Sequence, residues 1–93
     1  MRPLNVRFRH DVICPYSDCS ERICAEGDIT AALHPDGSPV TFTGFDATNP
    51  HAFEIACSKK HVTALHFPKD LVVIRTPADD EGLLKRPPAV LRV

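Results

Sequence analysis

Two short stretches constrain this chain more than anything else in it: Cys14-Pro15-Tyr16-Ser17-Asp18-Cys19 and Cys57-Ser58-Lys59-Lys60-His61. Read together they are a Cys-x4-Cys pair and a Cys-x3-His pair separated by a long insert. Thiolate and imidazole are the ligands that Zn²⁺ prefers, and a structural site takes four of them tetrahedrally. Two residues a few positions apart reach one ion only across a tight turn. Pro15 has a fixed φ and no donor, and Ser17 and Asp18 bond readily to nearby backbone, so the first stretch suits such a turn. Ser58-Lys59-Lys60 can make the second. The two lysines also place positive charge beside a site that carries net −1 with three thiolates and a neutral imidazole. The pattern predicts one structural zinc held by Cys14, Cys19, Cys57 and His61.

Cys24 is the rival ligand, since it follows Cys19 at the same x4 spacing. Cys14 is preferred because turn residues lie between it and Cys19, whereas Glu21-Arg22-Ile23 reads as strand. Four cysteines could instead form two disulfides or be ordinary buried thiols. The start, Met1-Arg2-Pro3-Leu4-Asn5-Val6-Arg7, alternates polar and apolar and lacks the apolar segment of a secretory signal. A cytoplasmic, reducing location is therefore expected, and paired Cys and His there favour metal over disulfide.

At 93 residues the chain fits one domain, of a size at which a bound metal adds appreciably to a thin core. Nine prolines and four glycines argue against long helices and for short strands joined by turns. The expected fold is mainly β: a small domain of short antiparallel hairpins built around the zinc. No apolar run approaches the roughly 20 residues of a membrane span.

Residues 4–13 alternate, with Leu4, Val6, Phe8 and Val12 on one face, and predict a half-buried strand leading to Cys14. His10 falls on the apolar side and reads as a core or edge histidine before a spare metal ligand. A short strand should return from Ser20 and stop at Gly27. Asp36-Gly37 marks a turn between two β-type runs, 28–34 and 40–45. Asn49-Pro50 lies in a loop and could cap a one-turn helix. Phe53–Cys57 and His61–Phe67 read as a hairpin with the second ligand pair at its tip. Leu71–Arg75 is a β-branched run suited to a buried strand. The β-domain is placed at 1–76. From 77 to 93 the chain is acidic and Pro-rich and is expected to be partly mobile. Its ending, Ala89-Val90-Leu91-Arg92-Val93, could add as a strand to a sheet edge of its own or another chain.

A strand leading into Cys-Pro and a second Cys, then a strand ending in Cys with His close behind, resembles the zinc-ribbon or zinc-knuckle type of small β-domain. The resemblance covers residues 12–19 and 53–67 and implies Cys14, Cys19, Cys57 and His61 as ligands. The chain departs from that pattern in a first knuckle wider than Cys-x2-Cys and in a His at the fourth position. Its compact style, rich in Arg and Ala, also resembles small proteins of high-GC bacteria and their phages, which implies a host protein as partner.

Three functions follow as expectations. The first is a non-enzymatic protein–protein interaction module with zinc as its staple, because four ligands leave no open position to activate water. A second copy, joined through a β edge or the C-terminal segment, is one candidate partner. The second is nucleic-acid binding through Arg7, Arg9, Lys59, Lys60 and the Lys85-Arg86 pair. The net charge of −1 and an aromatic content of only 6% disfavour it. The third, a hydrolytic enzyme drawing on His10, His34, His51, His66, Asp11, Asp18 and Asp46, has no nucleophile–base spacing to support it.

Overall fold

A computed structural model describes residues 3–74 and 87–92. The protein is mainly β. Its strands are β1 (Asn5–Phe8), β2 (Val12–Ile13), β3 (Arg22–Cys24), β4 (Ile29–Leu33), β5 (His51–Ala56), β6 (Val62–Phe67), β7 (Leu71–Ile74) and β8 (Ala89–Arg92). Six of them make one sheet in the order β6-β5-β8-β4-β1-β7, and β2 and β3 form a separate hairpin. Within the large sheet every neighbouring pair is antiparallel except β4 and β8.

The order forces the large sheet to curl. Strands β6 and β7 lie at its opposite edges, yet only the turn Pro68–Asp70 separates them in sequence. A flat sheet would hold its edges five strand spacings apart, about 24 Å, and three residues span at most about 11 Å. Asp70 fastens the place where the edges meet. Its N–H donates to the His66 carbonyl at 2.7 Å, and its own carbonyl accepts from the Arg9 N–H at 3.0 Å. Its carboxylate accepts the His66 N–H at 2.8 Å and bonds His10 Nε2 at 2.9 Å. One side chain thus joins the end of β6, the start of β7 and the exit of β1.

The curl gives the sheet an inside. Leu4, Val6 and Phe8 point into it from the first strand region, while Arg7 is exposed. Phe53 sits opposite both Leu65 and Leu91, Val6 opposite Thr30 and Val73, and Phe8 opposite Leu71. Period-two alternation on strands paired on both sides places these groups on one concave face. Thr30, a buried polar residue there, donates its hydroxyl to the Pro87 carbonyl at 2.9 Å, so its desolvation is compensated.

Several expectations are corrected. The strand expected over 4–13 is two strands in different sheets, broken at residues 9–11. Glu26 donates its N–H to Asp11 Oδ1 there, and His10, expected in the core or at an edge, is exposed with both ring nitrogens engaged. The run 40–45 makes one isolated bridge, Pro3–Thr41, and backbone bonds of Val40 with Leu4 and Ala32 before a 3-10 turn at Phe42–Gly44. No helix follows Asn49-Pro50; β5 begins at once with His51. Strand β7 is an edge with Leu71 alone fully buried. Strand β8 lies inside the sheet, flanked by β5 and β4 rather than added at an edge. Of the segment 77–93, expected to be partly mobile, residues 77–86 and 93 lie outside the described residues.

The Asp70 clip has a pH signature. Hydrogen bonding to the Asp11 carbonyl, then to the Asp70 carboxylate, raises His10 above its ordinary value of 6.5. Burial pushes Asp70 up, but the bonds from His10 and the His66 N–H outweigh it and hold the carboxyl below its ordinary 3.8. A histidine raised by folding stabilises below its ordinary value and loses that contribution as pH rises through the folded value. A carboxylate lowered by folding stabilises above its ordinary value and loses that contribution as pH falls through the folded value. Both contributions are therefore present between 3.8 and 6.5. The gap in melting temperature between wild type and Asp70→Asn should be wider at about pH 5.5 than at about pH 8.5. Equal gaps would show that the clip does not depend on the charge of His10.

Candidate metal centre

Each half of the site is a hairpin tip. The first tip closes when the Cys14 N–H donates to the Glu21 carbonyl at 2.8 Å. The Tyr16 carbonyl then accepts the N–H groups of Cys19 at 3.0 Å and Ser20 at 3.2 Å. The second tip joins β5 to β6: the Cys57 N–H donates to the His61 carbonyl at 3.0 Å, and the Lys60 N–H to the Cys57 carbonyl at 2.9 Å. Both tips turn through a left-handed residue, Ser20 at φ 53° and Lys60 at φ 68°. Among the described residues no other non-glycine has a positive φ. Side chains cost about 1–2 kcal/mol in that conformation. Strain confined to the two tips marks a geometry imposed by the surroundings rather than by local preference.

The tips bring Cys14, Cys19, Cys57 and His61 together, with all four ligand atoms within 4.8 Å of one another. Cys19 Sγ lies 3.8 Å from Cys57 Sγ, and Cys14 Sγ lies 3.5 Å from His61 Nδ1. These lengths can be compared with what a tetrahedral ion demands. With zinc–sulfur distances of about 2.3 Å and zinc–nitrogen distances of about 2.0–2.1 Å, a tetrahedron has S···S edges of about 3.8 Å and S···N edges of about 3.6 Å. Both measured edges match, and each joins one tip to the other. None of the four cysteines forms a disulfide. Cys14 and Cys57 are buried, Cys19 and His61 half-buried. The cluster could hold a metal ion, and its donors suit zinc.

The thiols of the cluster do not ionise alike. Burial foremost, joined by the sulfurs of Cys19 and Cys57, pushes the Cys14 thiol up to about 11 against an opposing backbone bond from Tyr16. Burial pushes Cys57 up as well, but backbone bonds from His61 and Lys59, then the Cys19 and Cys14 side chains, outweigh it and hold it below its ordinary value. The Lys59 N–H donates to Cys57 Sγ at 3.3 Å. Crowded thiols cannot all ionise beside one another, and a dication at their centre removes that obstacle.

Other candidates lie elsewhere. Cys24 is buried in β3 opposite Val12 and is outside the quartet. His10 and His66 flank Asp70. His51 bonds the Asp46 carbonyl at 2.7 Å and packs its ring at a tilt against Phe45, while the Asp46 carboxylate holds the Thr48 and Asn49 side chains. Three residues with a part in the site escape sequence reasoning. Tyr16 stacks on the His61 ring, with centroids 4.0 Å apart and planes 13° apart. Glu21 and Ser58 bond across the two tips. Tyr16 reads as turn filler, and the partner of Glu21 is 37 residues away, so no local signal marks either contact.

No protein-family model, curated protein or solved structure matches the chain.

The left-handed residue of the second tip makes a prediction independent of any ion. Glycine adopts φ 68° without penalty, whereas a β-branched side chain there is a genuine outlier. Lys60→Gly should melt several degrees above Lys60→Val when both are measured under the same conditions. Equal melting temperatures would show that the turn relaxes freely.

Proposed function

We propose that the protein is a small zinc-stapled β-domain of the zinc-knuckle kind, with no catalytic activity, whose work is to bind another protein through the surface around its metal centre. One observation carries the reading. Ile13, Tyr16 and Val62 are the exposed large apolar residues among those described, and all three flank the ligands. Ile13 precedes Cys14, Tyr16 stacks on His61, and Val62 follows His61. Exposed apolar groups gathered at one place are the usual mark of an interaction surface. The ligand set supports the rest. Three thiolates and an imidazole fill a tetrahedral shell, which leaves the ion to fix structure rather than to activate water. The ion would hold the β2–β3 hairpin, which belongs to a different sheet, against the β5–β6 tip.

The site divides the cysteines into two kinds. Cys57→Ala removes a ligand and should abolish zinc retention, while Cys24→Ala trims a buried group of the hairpin and should leave one zinc per chain. Native mass spectrometry of both variants reads this directly. Zinc retained by Cys57→Ala, or lost equally from both, would contradict the assignment. The surface is tested by Ile13→Asp and Val62→Asp, which should keep zinc and lose partner binding.

A further inference from the structure

We propose that Glu21 is a positioning residue for the metal centre: through Ser58 it locks the two hairpin tips together, so that the four ligands are gathered before an ion arrives. The inference rests on the zinc reading of the quartet. Each tip fixes its own two ligands by backbone bonds, but those bonds leave one pair free to move relative to the other. The tips come from different sheets, and β2–β3 makes no ladder with the large one. Glu21 supplies the missing link. Its carbonyl accepts the Cys14 N–H at 2.8 Å, which ties it to the first tip. Its carboxylate accepts two bonds from Ser58, the residue after Cys57: the backbone N–H at 3.1 Å and the hydroxyl at 2.5 Å. Two donors from one residue to one carboxylate fix both distance and orientation. These bonds involve no metal-ligating atom, so they stand with or without an ion.

The same bonds settle a further point. A carboxylate beside a metal site also competes as a ligand. Both oxygens of Glu21 are engaged by Ser58, and Glu21 is outside the group of atoms that converge at the centre.

Outer groups that orient ligands typically account for about 10–100-fold in metal affinity. The test is zinc affinity of the full chain, measured by competition with a chromophoric chelator, with Co²⁺ absorption reporting ligand geometry. Glu21→Ala should weaken zinc binding by about 10–100-fold while the Co²⁺ spectrum stays tetrahedral and thiolate-rich. Glu21→Gln keeps an acceptor oxygen and should recover most of the loss. Ser58→Ala should weaken zinc as well, and the double variant Glu21→Ala/Ser58→Ala should be no weaker than Glu21→Ala alone, since both remove one contact. If Glu21→Ala fails to fold, the Glu21→Gln and Ser58→Ala comparison decides, with weakening confined to Ser58→Ala expected. Zinc affinity unchanged in Glu21→Ala and Ser58→Ala, or losses that simply add, would overturn the inference while leaving the zinc reading intact. A wild type that takes up no zinc would overturn both.

Discussion

Convergence of three sulfurs and one imidazole nitrogen from two separate hairpins is the constraint on which the rest of this structure turns. Without an ion the thiolates such a cluster needs are disfavoured. Burial pushes Cys14 up to about 11, and the two backbone positions next to Cys19 and His61 are left-handed. A tetrahedral cation reverses the balance, because it stabilises every thiolate at once and its edge lengths are those already present between the tips. The small β2–β3 hairpin shares no ladder with the large sheet. Where it meets the rest of the chain lie the quartet, the Glu21–Ser58 bonds and the core that Val12, Ile23 and Cys24 join.

The large sheet meets a different requirement. It must bury apolar side chains on one face with strands of four to six residues. Curling answers this, since a concave face surrounds Phe53, Leu65 and Leu91 with neighbours that a flat sheet would leave distant. Asp70 joins the two edges where the curl nearly closes, and β8 fills the gap between β5 and β4. The two ends of the site thus rest on unlike supports. The β5–β6 tip rises from a sheet with its own core, whereas the β2–β3 tip depends on what it meets. This asymmetry is why Glu21, on the dependent hairpin, matters more to the metal centre than its place in the sequence suggests.

Much of this was legible in the sequence, for a physical reason. Ligand spacing, turn residues and period-two alternation are local, and they gave the β class, the hairpins at both tips and the gathering of Cys14, Cys19, Cys57 and His61. What could not be read depends on contacts between distant residues. The alternation from Leu4 to Val12 continues through Arg9 and His10, yet the chain breaks there because Asp70, some 60 positions away, binds His10. Ala89–Arg92 alternates like an edge strand, and only the curled sheet shows that it lies parallel to β4 in the interior. Val40–Phe45 has strand composition but forms no ladder, only a single bridge at Thr41. Tyr16 and Ser58 look like turn residues because, locally, that is what they are.

The central claim is that one ion sits among three sulfurs and one nitrogen with no place left for water. X-ray absorption at the zinc edge of the purified protein tests it most directly. The account predicts three sulfur scatterers at about 2.3 Å and one nitrogen at about 2.0–2.1 Å, with no further scatterer in the shell. Fewer than three sulfurs, a coordinated water oxygen or a protein that carries no zinc would contradict it.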